Sequence, residues 1–149
     1  MPPRSIVGAS LTALLLTAAC HGTPHELSAP GQPLRPCPST PNCVSSEATD
    51  SVHAMQGVPF SIAPHDAQVR ARSALLRQPR TRITLDVPGY LRAEATSRIF
   101  RFVDDVEIVV DTAAMRFRFR SASRIGRGDR GVNRARMTRV SEWLRGATP

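Results

Sequence analysis

The sequence predicts an α+β domain, with a four-stranded antiparallel sheet (a meander) carrying two helices on one face and a disulfide-stapled loop before it. Three observations lead there. Residues 100–124 alternate apolar and charged side chains, the period-two mark of half-buried strands. Residues 64–77 and 134–145 carry apolar side chains at helical spacing. Pro88-Gly89 and the break at Thr112-Ala113 put short turns between successive strands, which makes neighbours antiparallel. Helices segregated to one face of such a sheet define the α+β class.

Residues 1–19 read as an export signal. Arg4 supplies its positive start, and the apolar run 6–19 is too short for an ordinary spanning helix. Thr17-Ala18-Ala19 before Cys20 resembles a bacterial lipobox, although Thr17 stands where such motifs usually carry leucine. The resemblance implies cleavage before Cys20 and acylation of its sulfur and amine, with roughly 0.8 kcal/mol of anchoring per buried methylene. A plain secretory signal cleaved nearby is the alternative. His21 in place of an aspartate points, by the same resemblance, to the periplasmic side of an outer membrane. Residues 20–36, rich in proline and glycine, read as lipid anchor and flexible tether, and residues 37–149 as a single domain.

The chain has 149 residues and a net charge of +8, with every basic residue an arginine. Export sets nucleic acid aside as a partner for that charge. It leaves the membrane, reached through lipidated Cys20, and an anionic ligand or envelope partner. Cys37 and Cys43 form an even pair in an oxidising compartment and are expected to be disulfide-bonded, worth about 2–3 kcal/mol for so short a loop. A metal or redox site is the competing reading of the two. With only His53 near them in sequence they fall short of the usual four zinc ligands, so no metal is expected.

In the first helix, residues 64–77, Ala67, Ala71, Ala74 and Leu75 share one face and Pro79 stops the helix. Residues 82–87 form the next strand, with Ile83, Leu85 and Val87 inward. A three-residue connection to Leu91 would set Asp86 opposite Arg92, and Glu94 beside Arg101. In the hairpin, Phe100, Phe102, Val106, Ile108, Val110, Phe117 and Phe119 face the core, and alternating acids and arginines face solvent. A two-residue turn pairs Glu107 with Arg118; a four-residue turn keeps the parity and pairs Glu107 with Arg120. Asp104 interrupts the apolar face. It reads either as a structural ion pair opposite Ser121, with Arg124 or Arg134 in reach, or as a polar group lining a pocket.

The last helix, residues 134–145, is capped by Asn133 and turns Met137, Val140 and Leu144 inward, with Trp143 at the border. The loop before it, residues 124–132, carries Gly126-x-Gly128-x-x-Gly131. That spacing alone does not make a dinucleotide site, which needs a parallel βαβ unit and a downstream acid; no cofactor is expected. A helix start surrounded by Arg124, Arg127, Arg130, Arg134 and Arg136 suits phosphate or carboxylate. Alternatively, Asp104 and Asp129 take these arginines as structural partners.

Cys37-Pro-Ser-Thr-Pro-Asn-Cys43-Val-Ser-Ser46, Tyr90-Leu-Arg-Ala-Glu94, Phe102-Val-Asp-Asp-Val-Glu107, Ser121-Ala-Ser-Arg-Ile-Gly126 and Asp129-Arg-Gly131-Val-Asn133-Arg-Ala-Arg136 together resemble the bacterial and plastid family called domain of unknown function 1499. The resemblance covers residues 37–145 and implies an exported or lipid-anchored protein, with no reaction or ligand attached. It groups the matched polar residues: Asp104, Asp105, Ser121, Ser123, Arg124, Asp129, Asn133, Arg134 and Arg136 are the candidate ligand-binding set. No catalytic residue is assigned, because no nucleophile–base–orienter pattern appears. The expectation is a non-catalytic envelope module that binds an anion through the arginine loop. The alternatives are an enzyme using Asp104 or Asp105 with nearby serines and arginines, and a structural or assembly protein.

Overall fold

The computed structural model describes residues 22–23 and 27–146, so the segment 1–19 expected to be an export signal and Cys20 lie outside the described residues. Its elements in chain order are β1 (Cys43–Ser45), β2 (Val58–Pro59), α1 (Pro64–Leu76), β3 (Thr81–Val87), β4 (Tyr90–Thr96), β5 (Val103–Asp111), β6 (Arg116–Ser123) and α2 (Val132–Leu144). Antiparallel pairing runs β1-β6-β5-β4-β3, with β2 also on β6. The sheet therefore has six strands, not the four expected. The expected meander is β3 to β6. Its last strand is not an edge, because β1 lies along Arg120–Ala122 and β2 along Arg116–Phe117. Two prolines exclude helix from 37–46, but three residues after the cystine are enough to pair with an open strand. The Cys37–Cys43 disulfide is formed and fixes where that pairing begins.

The β5–β6 turn takes the four-residue form: Asp111 opposes Arg116, Ile108 opposes Phe119 and Glu107 opposes Arg120. Asp111 Oδ1 accepts the Ala114 N–H at 2.9 Å, closing the turn locally, and Met115 takes a left-handed φ of 48°. The β3–β4 turn is the two-residue Pro88-Gly89, with Gly89 at φ 80°, rather than a three-residue connection. A bulge between Ile83 and Leu85 then turns Leu85 opposite Arg92 and sets Asp86 opposite Leu91. The reason lies on α1: Gln68 Nε2 donates to Asp86 Oδ1 at 2.8 Å, and Arg72 forms an ion pair with the same carboxylate.

Both helices lie on one face. Ala67, Ala71, Ala74 and Leu75 of α1 and Met137, Val140 and Leu144 of α2 close over Leu91, Ala93, Val106, Ile108, Val110, Phe117 and Phe119. The small alanines let α1 sit close to the sheet. Trp143 borders this core, with the Arg77 guanidinium 3.9 Å from its ring centroid. Phe100 and Phe102 do not belong to it: β5 begins at Val103, and both rings lie in the exposed 97–102 loop.

The opposite face is not a solvated surface. Tyr90, Asp105, Glu107 and Arg120 are buried there, Glu107 at 0% and Arg120 at 2% exposure. Residues within the segment expected as a flexible tether cover them: Ser28 and Leu34 are buried, and the Ser28 N–H donates to Glu107 Oε1 at 2.8 Å. Phe119→Ala, at the centre of the helical face, is expected to cost about 3–5 kcal/mol in urea denaturation. Phe100→Ala is expected to stay within about 0.5 kcal/mol.

Candidate functional site

The sheet divides the candidate residues. Adjacent residues on a strand face opposite ways, so Asp104 points toward α2 and Asp105 away from it. On the helix side, Asp104 opposes Ser123, not Ser121. Its partner is neither Arg124 nor Arg134: Arg136, one turn into α2, donates through Nη2 to Asp104 Oδ2 at 2.6 Å. Arg136 Nη1 donates to Asn133 Oδ1 at 2.7 Å and to Ser121 Oγ at 3.1 Å. The Ser121 hydroxyl donates to Asn133 Oδ1 at 2.6 Å. The Asn133 amide nitrogen reaches Asp129 Oδ2, Ser123 Oγ and the Asn42 carbonyl at 2.8, 2.9 and 3.1 Å. Asn133 is thus a fully buried hub that ties α2, β6 and the stapled segment together.

Asn133 is not the helix cap. The cap is Gly131, whose φ of 78° is left-handed and suits a residue without Cβ. The capping side chain is Asp129, whose carboxylate accepts the N–H of Gly131 at 2.9 Å and of Asn133 at 2.7 Å. The helix start that appeared ready for an external anion already holds an internal one.

On the outer face, Arg124 Nε and Nη2 donate to the two oxygens of Asp105 at 2.9 and 2.7 Å, and Nη2 also reaches Glu94 Oε1 at 2.5 Å. Arg82, rather than Arg101, completes Glu94 at 2.7 Å. Hydrogen bonds from Arg124 hold the Glu94 carboxyl below its ordinary range, and those to Asp105 raise the guanidinium pKa. Beside this cluster, Arg120 Nη1 lies 3.3 Å from Glu107 Oε2 and the Tyr90 hydroxyl donates to Glu107 Oε1 at 2.7 Å. Burial, reinforced by the Glu107 hydrogen bond, pushes the Tyr90 pKa up.

Arg134 joins neither cluster; it donates to the carbonyls of Ala54 and Val52 at 3.0 and 2.7 Å. The structure therefore brings Asp104, Ser121, Ser123, Asn133, Arg136 and Asp129 together, places Asp105 and Arg124 behind the sheet, and sends Arg134 elsewhere. Arg127 and Arg130, at the loop tip, are exposed and have no ion pair or hydrogen bond among the described residues. Sequence reasoning missed Asn42, Tyr90, Glu107 and Arg120 as interior polar groups. Val103, Val109 and Ala122 sit among the charges on the outer face, and their apolar side chains were the available signal that it is covered.

A cleft of about 560 Å³ opens between the first turn of α1 and the β3–β4 turn, lined by His65, Gln68, Asp86, Gly89 and Val110 among others. No member of the candidate set lines it. Among the described residues, no three His, Cys, Asp or Glu are grouped to hold a metal.

A family model described as a protein of unknown function (DUF1499) matches residues 33–144. No curated protein and no solved structure matches the chain.

Arg136→Met strands a buried carboxylate and is expected to cost about 3–5 kcal/mol. In a urea double-mutant cycle with Asp104→Asn, the double variant should lose less than the sum of the single losses, by about 0.5–3 kcal/mol. Stability also follows pH at both ends. Glu94 binds its proton less readily folded than unfolded, so its contribution is present above about 4.5 and lost as acid protonates the folded carboxylate. Tyr90 ionises less readily folded, so its contribution is present below about 10 and lost as pH rises further. Thermal midpoints should fall in both directions, with a shallower acid limb in Glu94→Gln and a shallower alkaline limb in Tyr90→Phe.

Proposed function

The chain belongs to the DUF1499 family, and we propose that it serves as a non-catalytic, exported module, anchored through acylated Cys20 to the periplasmic side of the outer membrane, that engages an anionic group through the tip of its arginine loop. One observation carries this reading. Of the five arginines around the start of α2, three are occupied by internal acceptors, while Arg127 and Arg130 stand exposed without partners among the described residues. The group they suit carries phosphate or carboxylate, because guanidinium forks match those oxygens in pairs.

Burial of Asp104 and Asp105 against guanidinium groups favours this reading over an enzyme using either acid with Ser121 or Ser123. A general base must reach the proton it removes, and both carboxylates are turned inward. A structural or assembly role would use the charged outer face of the sheet, where Tyr90, Asp105, Glu107 and Arg120 are buried, and differs in having no small-molecule response.

Inorganic phosphate, and separately citrate, should raise the thermal midpoint above that in chloride at matched ionic strength. The rise should vanish in Arg127→Gln/Arg130→Gln. Equal midpoints in all three salts, or an undiminished rise in the double variant, would overturn the proposal.

A further inference from the structure

The loop joining β4 to β5 has no role in the core or in either polar cluster. Ile99 and Phe100 are 76% and 68% exposed, and the Phe100 and Phe102 rings stack with centroids 5.4 Å apart. The loop is nonetheless well formed. The Ser97 N–H donates to the Phe102 carbonyl at 2.8 Å, the Phe102 N–H donates to Ser97 Oγ at 2.9 Å, and Arg101 takes a left-handed φ of 57°. Four residues are thereby held out from the sheet as a small apolar knob flanked by Arg98 and Arg101, both exposed. An ordered aromatic surface ringed by cations suits a layer that is apolar inside and anionic at its edge.

Where the chain leads supplies the occupant. The loop ends at Val103, whose carbonyl accepts the Arg124 N–H at 3.1 Å. The residue-124 end of β6 therefore adjoins the knob. Gly22 packs against that same end: a Cβ placed there would lie 2.6 Å from Ile125 Cγ2 and 3.1 Å from Arg124 Cβ. Cys20 precedes Gly22 by two residues. Gly22, the aromatic knob and the loop that carries the exposed Arg127 and Arg130 thus share one end of the sheet.

We propose that the 98–101 loop is a membrane-contact element: Ile99 and Phe100 enter the interface of an anionic phospholipid bilayer while Arg98 and Arg101 meet its headgroup phosphates, seating the domain against the surface that holds its anchor. The placement of the anchor rests on the acylation reading above, but the contact itself does not require it. Membrane attachment through a single weak signal is reversible, and a second signal makes it stable.

The test uses the chain from residue 20 onward with Cys20→Ser, so that neither an acyl group nor the apolar run 6–19 contributes, and vesicles of phosphatidylcholine with or without about one-third phosphatidylglycerol. Flotation should recover the protein with the anionic vesicles and less with the neutral ones. Ile99→Ser/Phe100→Ser should weaken binding about tenfold with an unchanged thermal midpoint, because both side chains are exposed. Arg98→Gln/Arg101→Gln should weaken it and flatten its salt dependence. Binding that survives Ile99→Ser/Phe100→Ser, or no binding to either vesicle, would overturn the proposal. So would a dimer in sedimentation velocity that this pair of substitutions dissolves, since the knob would then belong to a second copy. Arg127→Gln/Arg130→Gln separates the two readings: if it abolishes the phosphate response while vesicle binding through the knob persists, both stand. If Ile99→Ser/Phe100→Ser leaves vesicle binding intact while phosphate still raises the midpoint, only the membrane contact fails.

Discussion

The register between β5 and β6 is the constraint on which the rest of the structure depends. Side chains alternate with a period of two, so a one-residue slip would exchange the faces of the whole hairpin. In the observed register Ile108 and Val110 meet Phe119 and Phe117 beneath the helices, while Glu107 meets Arg120 behind them. The same pairing brings Asp104 opposite Ser123, where α2 can dock through Asn133 and Arg136. The apolar core, the outer charge ladder and the seat of the last helix are consequences of one strand pairing.

Covering both faces of this sheet turns its charges from decoration into structure. A buried carboxylate without a partner is costly, and so is a buried guanidinium. The charged partners of Asp104, Asp105, Glu107 and Glu94 are all arginines. Arg124 serves Asp105 and Glu94 at once, and Arg136 serves Asp104, Ser121 and Asn133. A planar fork of donors can divide itself among several acceptors, where a lysine ammonium would act as a single compact charge. Buried pairs of this kind add little stability over apolar replacements, but they strongly penalise the loss of either partner. They therefore hold segments distant in sequence, such as β5 and α2, in one arrangement.

This internal closure also sorts the surface. Polar groups that hold the fold are turned inward, and Asp129 fills the start of α2. What remains outward at that end of the sheet is cationic and aromatic: Arg98, Phe100, Arg101, Arg127 and Arg130. The cleft beside His65 opens at the other end, next to the Pro88-Gly89 turn. The two ends of the domain thus differ in chemistry, and the end with arginines and rings is the one against which Gly22 packs.

By itself the sequence determined the local structure: α1 and its buried alanines, the inward Met137, Val140 and Leu144, the alternation of β5 and β6, and the cystine. Each of these depends on spacing within a few residues or, for the cystine, on the pair left when Cys20 is set aside. Tertiary structure alone decided the six-stranded sheet, because pairing of β1 and β2 with β6 joins segments some 60 to 80 residues apart, and neither short segment specifies the strand it pairs with. Alternation already put Asp104 and Asp105 on opposite faces of the sheet. Tertiary structure decided which arginine reaches each, because that depends on how α2 and β6 are placed. The outer face looked solvated because alternation reveals that two faces differ, not what covers the second one. Phe100 and Phe102 fit the strand pattern, yet the strand starts after them, since the Ser97–Phe102 hydrogen bonds close a loop that periodicity alone does not register.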